Sequence, residues 1–473
     1  MERLDRFSRR ALLAGAAAAA ACTSLPGEAQ APRPKRLGPN DRVNVAIIGA
    51  GGKGAGNAME LLSQNIVAAT DVDFDRVARQ MLDRNGVMRP EREPLKAAYD
   101  KAARFTDYRK MFDARKDIDA VVIATPDHHH IHATRIAMER GIHVFVQKPL
   151  TTTVREARMM LDLSRKYPNL VTAMGNQGHS GDDGRRVIEL IRGGAIGKVS
   201  EVQIWTNRPV WPQGIPRAPA QFTPNGLDWQ MWLGPAAVDW GYHSDYAHFN
   251  WRGWTPFGSG ALGDMGAHLM DFPVWALEPG LPTRVETRHT VWGGDTNASD
   301  GKPPAELASF PVATVTHYEF GNAKGGPLRI TWQDGGLMPS TPKGFPATRE
   351  MLSEGGVLYF GDKGMLIHDT YGEKPTVIGE EANARAAAIP QSLPRIAGGM
   401  GGHEMNFIRA IRGEEKISSP FADAAPLTET MLLGIVALAA DKPITYDGVA
   451  GRITNGEGFN SLLDRPYRKG WEI

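Results

Sequence analysis

A chain of 473 residues is long enough for two or three domains, each with a core of its own. Its charges nearly cancel, 54 basic against 53 acidic, which argues against nucleic acid or an anionic membrane surface as the main partner. Glycine (53) and proline (33) are too plentiful for a helical bundle, and the single cysteine, Cys22, leaves the rest of the chain without a disulfide or thiolate metal site.

The first segment, residues 1–31, reads as an address. Arg9 and Arg10 precede Leu12 and Leu13 and then an alanine-rich apolar run, the order of a twin-arginine export signal. The expected location is periplasmic or otherwise extracytoplasmic, with the twin-arginine machinery as a transient partner. Ala29-Gln30-Ala31 resembles a cleavage site but Pro32 follows it, and Cys22 is an alternative point of lipid attachment. Such signals export folded proteins, so a cofactor would be loaded inside the cell and retained. No later segment reads as long and apolar enough to span a membrane.

Residues 40–177 read as a nucleotide-binding domain. Val43, Val45, Ala46, Ile47 and Ile48 form a buried strand, followed by Gly49, Gly51 and Gly54 in G-x-G-x-x-G spacing and a helix over 55–62. The first glycine permits the tight turn, the second lets backbone approach a pyrophosphate, and the third lets helix and strand pack. Lys53 lies inside this motif. A second strand ends at Asp71, about 20 residues past the central glycine, where a carboxylate bonds a ribose 2′-hydroxyl and repels a 2′-phosphate. NAD is therefore favoured over NADP.

The next strand opens into Thr125, Pro126, Asp127, His128, His129, His130 and His132. A metal site would need a second cluster to complete its shell, and none is evident. The loop is read as edging the cofactor's ribose, with some histidines capping the helix. "VFVQKPL" ends a fourth strand and places Gln147 and Lys148 at its carboxyl end, where open α/β sheets bind ligands. A fifth strand leads to Asn176 and Gln177. Five strands alternating with helices predict a doubly wound parallel sheet.

From 178 to 473 the rhythm changes to strand-like runs ("VSEVQIWTNR", "TRVETRHTVWG", "VATVTHYEF", "LRITWQDGG"), predicting a large, mostly antiparallel open sheet with helices on one face, an α+β substrate and oligomerisation domain. Seven of the eleven tryptophans cluster early in this half. Each is either core or a surface on which a sugar ring stacks. In "GDMGAHLMDF", Asp264 and His268 are four apart and share a helix face, so the carboxylate could fix the imidazole's tautomer and raise its basicity.

Together "GAGGKG", "QKPL" and "DMGAH" resemble the glucose–fructose oxidoreductase, inositol dehydrogenase and rhizopine catabolism (Gfo/Idh/MocA) family, with the similarity running from about residue 42 to the C-terminus. The ending is similar to the exported branch of that family. The resemblance implies that Lys148 lies beside the nicotinamide and the reacting hydroxyl, that the peptide before Pro149 is cis, and that Asp264 and His268 are the acid–base pair. Gln147 stands where most of the family has Glu. Without that carboxylate Lys148 is expected to titrate lower and to share the hydroxyl proton. Trp205, Arg208, Trp211, Tyr242, His243 and Arg252 are candidates for the substrate rim.

The implied activity is NAD(H)-dependent hydride transfer at a secondary alcohol of a sugar, sugar derivative or glycoside. The alternatives are redox-neutral glycoside cleavage by oxidation, elimination, hydration and re-reduction, and a non-catalytic sugar-binding protein. A homo-oligomer, dimer or tetramer, follows by family analogy.

Overall fold

The structure is a computed structural model that describes residues 34, 37–38, 40–290 and 308–473. The segment read as an export signal, with its candidate cleavage site and Cys22, lies outside the described residues. Residues 33–473 form one compact unit in which both halves pack together.

The first sheet has the order β3-β2-β1-β4-β5-β6, formed by Asn44–Ile48 (β1), Asn65–Thr70 (β2), Ala103–Phe105 (β3), Ala120–Ile123 (β4), His143–Val146 (β5) and Thr172–Met174 (β6). All its pairings are parallel. Strands buried on both faces read as continuous apolar runs, which is why β1, β4 and β5 were visible in the sequence. The sixth strand, β3, corrects the five-strand reading. It is three residues long and none of them is fully buried, so it carries no apolar signature.

The chain order reverses between β1 and its neighbour β4, and a ligand crevice forms at such a switch point. Gly49 turns the chain there with φ of 83°; a Cβ at that position would sit 2.7 Å from the Ala124 carbonyl oxygen. A Cβ on Gly54 would overlap the Gly49 carbonyl oxygen, so the third glycine serves packing. The helix α1 begins at Gly52 and runs to Glu60, earlier than the expected start at Ala55, because Gly51 is the extended residue that caps it.

The second sheet has the order β13-β12-β11-β7-β10-β9-β8-β14-β15. Its strands are Val199–Thr206 (β7), Arg284–His289 (β8), Thr314–Phe320 (β9), Leu328–Gln333 (β10), Gly355–Gly361 (β11), Gly364–Asp369 (β12), Thr376–Ile378 (β13), Ile444–Asp447 (β14) and Arg452–Ile453 (β15). Every pairing is antiparallel except that between β7 and β10. Along β9, Thr314, Thr316, Tyr318 and Phe320 are buried while the residues between them are partly open. This period of two identifies a sheet with one face in the core.

Two helices cover the buried face and carry the chemistry toward the first sheet. In α2 (Gly260–Leu269) all ten residues are buried. It packs against α3 (Phe421–Ala440), with Gly266 against Met431. The α3 backbone is stitched to the sheet by Thr287 Oγ1 donating to Gly434 O at 2.9 Å and Tyr318 OH donating to Met431 O at 3.2 Å. In length and composition α3 is apolar enough to cross a membrane, which corrects the sequence reading that no such segment exists, but it is mostly buried against the sheet and α2.

Candidate functional site

A cavity of about 550 Å³ opens where the carboxyl ends of β1, β4 and β5 meet the second half of the chain. That lies within the roughly 300–1,000 Å³ of ordinary ligand pockets. One end is built for a nucleotide. Asp71, at the end of β2, accepts the Gly51 N–H at 2.9 Å and the Asp73 N–H at 3.0 Å. Burial pushes its carboxyl up from the usual value, while those two bonds pull it back. Gly51 approaches so closely that a Cβ would sit 3.2 Å from Gln80 Oε1. Lys53 reaches the rim from the first turn of α1, 3.9 Å from Glu404.

The other end holds the charged cluster. The Lys148 ammonium, at the end of β5, donates to the Asp264 carbonyl and to Asp264 Oδ1, both at 2.8 Å. Arg252 Nε donates to the same Oδ1 at 3.1 Å. Burial acts to raise the Asp264 carboxyl, but the two cations beside it win and hold it down at about 2. The Lys148–Pro149 peptide is cis.

His268 lies one turn along α2 from Asp264 and also lines the cavity, its ring edge-on to Tyr371 with centroids 4.8 Å apart. The expected hydrogen bond between Asp264 and His268 is not formed. Both cations compete for the carboxylate, and His268 Nδ1 has no partner among the described residues. Burial, reinforced by the nearby Lys148, pushes the imidazole well below its ordinary value, so it is neutral near pH 7. Nothing among the described residues fixes its tautomer. That is left to whatever enters the cavity.

Asp127, at the end of β4, is the least ordinary acid of the wall. Its Oδ2 accepts from Ser259 Oγ at 3.0 Å, while its Oδ1 is buried without a partner. Burial pushes its carboxyl up to about 7 in spite of Arg252, Ser259 and Lys148. Thr125 Oγ1, Asp127 Oδ1 and His268 Nδ1 are all buried, unpartnered and on residues of this wall. Orphaned polar atoms are costly unless a ligand satisfies them. The hydroxyls and carboxamide of a nicotinamide dinucleotide are of that chemistry, and the glycine turn and Asp71 suit its pyrophosphate and ribose. The residues fit the cofactor.

Of the residues singled out in the sequence, Gly49, Gly51, Lys53, Asp71, Thr125, Pro126, Asp127, Gln147, Lys148, Gln177, Arg252 and His268 come together around this one cavity. Asp264 stands just behind, touching it through Lys148 and Arg252.

Others lie elsewhere. His128 faces the carbonyls of Phe257 and Trp232, and His130 those of Pro149 and Thr125, so both tie the loop to its neighbours rather than reaching the cavity. His132 donates to the Trp471 carbonyl; only His129 of this run lines the wall. Among the described residues no group of three or more His, Cys, Asp or Glu is placed to hold a metal. Asn176 is buried between Asp271 and Ser419.

Of the six residues expected at the substrate rim, Arg252 lines the cavity, Trp205 and Trp211 are core, and Arg208, Tyr242 and His243 are half-buried away from it. Trp205 is 1% exposed and donates to the Leu352 carbonyl, Trp211 is buried against Gln213, and Tyr242 stands edge-on to Trp229. Arg208 bonds Asn207 and His243 accepts from the Asp245 N–H, neither at the cavity. Residues that sequence reasoning missed include Arg76, Tyr108, His248, Phe249 and Tyr371, all in the wall. Tyr371 follows β12 and no motif marks it; its place depends on a strand that the sequence reading did not find.

Two family models match the chain. One is described as an oxidoreductase family with an NAD-binding Rossmann fold, over residues 43–174; the other is that family's C-terminal alpha/beta domain, over residues 190–287. Among curated proteins, a glycosyl hydrolase family 109 protein of Saccharopolyspora erythraea is 31% identical over 214 residues, 42% of this chain and 45% of that one. A second, from Shewanella sp. (strain ANA-3), is 29% identical over 217 residues, 41% of this chain and 45% of its own. The matched stretch thus spans under half the length of these relatives.

Among solved structures, the WlbA dehydrogenase from Bordetella pertussis, in complex with NADH and UDP-GlcNAcA, superposes with a TM-score of 0.55 at 16% identity, covering 86% of this chain and 99% of that one. GenD2 from gentamicin A biosynthesis, in complex with NAD, gives 0.54 at 16% identity, covering 88% and 99%. These likenesses extend the shared fold over nearly the whole described chain. With the switch-point cavity, the strand-end lysine and both family models in agreement, the chain belongs to the NAD-binding Gfo/Idh/MocA oxidoreductase family.

Proposed function

We propose that this protein moves a hydride between NAD held in the cavity and a secondary alcohol of a sugar, sugar derivative or glycoside. The observation that carries the reading is Lys148, held by Asp264 in the cavity wall with His268. The nicotinamide, when bound, accepts or returns the hydride. The chain's part is to position the alcohol and handle its proton. Two of the Lys148 ammonium's three donors are taken by Asp264, which leaves one for a substrate hydroxyl. Neutral His268, with its unpartnered Nδ1, is able to receive the proton.

A second reading is favoured by the relatives named glycosyl hydrolase family 109 proteins. In it the hydride returns to the same substrate. Oxidation of one carbon acidifies the neighbouring C–H, the aglycone is eliminated, water adds, and re-reduction restores the cofactor. An exported protein has no extracytoplasmic pool of free NAD to draw on, so the twin-arginine reading of residues 1–31 points the same way.

The test is to supply glycosides to the purified full chain with no electron acceptor. Aglycone release over many turnovers supports cleavage. A product oxidised in step with an added acceptor supports simple dehydrogenation. Neither change across a broad sugar panel would overturn both.

A further inference from the structure

The second half of the chain does more than supply one wall of the cavity. Residues 226–252 run across to the nucleotide half and are tied to it at several points. The Asp228 N–H donates to the Val72 carbonyl at 2.9 Å, just past Asp71. His248 Nε2 lies 3.0 Å from Asp73 Oδ2. The Trp232 carbonyl meets Nε2 of His128 at 3.0 Å and of His129 at 2.9 Å. Gly226 packs against Asp75, where a Cβ would stand 2.7 Å from the carboxylate oxygen.

The crossing segment is stiffened from within. Trp229 and Trp232 are stacked with centroids 4.5 Å apart, and the Trp229 indole donates to the Trp240 carbonyl at 2.7 Å. These rings join Tyr246, Trp251, Trp254 and Phe257 in a core of their own, against which Val72 packs. Burying these large aromatic rings together packs a largely irregular segment into one unit against the nucleotide half. Its cavity side presents Met231, Trp232, His248, Phe249 and Trp251 opposite Asp71, Val72 and Arg76.

We infer that residues 226–252 form a strap that completes the dinucleotide site over the adenosine-ribose end and holds NAD in place between turnovers. The inference rests on the reading of the cavity as the NAD site and deepens it. Asp71 marks the ribose position, and the strap's ties fall immediately after it, at Val72 and Asp73. Release of the cofactor then requires the strap to part from Val72, Asp73 and the histidine loop together, so exchange is slow.

The experiment measures exchange directly. The full chain is loaded with NAD, freed of excess, and mixed with isotopically labelled NAD; bound cofactor is recovered by denaturation and weighed at intervals. The two variants are His248→Ala, which removes the tie to Asp73, and Phe249→Ala, an exposed residue that preserves the fold if the first variant does not. The expected result is slow exchange in the parent chain and exchange at least ten times faster in each folded variant. Free exchange in the parent, or equal rates in parent and variants, would overturn the strap. A parent chain that binds no NAD would overturn the reading of the cavity itself, so the two failures are distinct.

Discussion

Lys148 and Arg252 share one oxygen of Asp264, at 2.8 and 3.1 Å, so a single buried carboxylate holds together two cations brought from opposite halves of the chain. Removing it leaves both charges facing each other without compensation. Asp264→Asn should destabilise the protein by about 3–5 kcal/mol, the usual cost of breaking a buried pair from one side. The acid limb of stability follows from the same contact. The folded carboxyl titrates at about 2 against an ordinary 3.8, so its contribution, about 2 kcal/mol, is complete above pH 4 and is lost as pH falls toward 2. The stability gap between the parent and Asp264→Asn, read from denaturant unfolding, should therefore narrow by about 2 kcal/mol in acid. A constant gap down to pH 2 would rule out this pair as the cause.

Lys148→Met tests whether the lysine handles the proton. Loss of a positioned proton donor or acceptor lowers turnover by roughly 10²–10⁴-fold. Turnover of the variant should fall in that range while its NAD content, read after denaturation, stays at the parent's level. Full activity would remove Lys148 from the chemistry. Gln147→Glu is a companion test. The Gln147 amide donates to Asn57 Oδ1 at 3.1 Å, and Asn57 in turn donates to Glu404 at 2.6 Å. A carboxylate at 147 adds negative charge beside Lys148 and should move the basic limb of activity to higher pH.

Asp127 gives a prediction of opposite sign. Its folded carboxyl titrates at about 7 against an ordinary 3.8, so the folded state binds the proton more tightly than the unfolded chain. Stability then falls as pH rises from about 4 through 7 and stays low above that, by about 4 kcal/mol in the cofactor-free protein. Asp127→Asn keeps an acceptor for Ser259 and removes the charge. Its melting temperature should exceed the parent's at pH 8 and approach it at pH 4. A variant less stable than the parent at both pH values would show that the carboxylate is needed for its shape, not tolerated at a cost.

Much of this site could be read from the sequence because its parts are strand ends. Gly49, Asp71, Asp127 and Lys148 each follow a short apolar run, and a parallel sheet gathers such ends on one edge. What could not be read was competition. The i, i+4 spacing of Asp264 and His268 placed them on one helix face correctly, but spacing is silent about cations arriving from β5 and from the strap, and those took the carboxylate. The tryptophans misled for a related reason. A ring that could stack on a sugar is also the largest available core residue, and Trp205 and Trp211 went to the core. Of the strap's wall residues Arg252 was picked out, but Met231, His248, Phe249 and, beyond the strap, Tyr371 were invisible, since their place depends on strands and crossings with no local pattern.

The choice of dinucleotide rests on Asp71. Both carboxylate oxygens are engaged by backbone N–H groups, from Gly51 and Asp73, so the side chain cannot swing away from the ribose position. A 2′-phosphate there would face a fixed negative charge in a buried setting, where like charges repel most strongly. Arg76 lines the same end of the cavity and would be free to meet a phosphate if the carboxylate were gone. Asp71→Ser should therefore weaken NAD binding and strengthen NADP binding, narrowing the preference for NAD by ten-fold or more. Titration of both cofactors against stripped protein measures the ratio. An unchanged ratio would mean that the walls around the ribose, and not the Asp71 charge, exclude the phosphate.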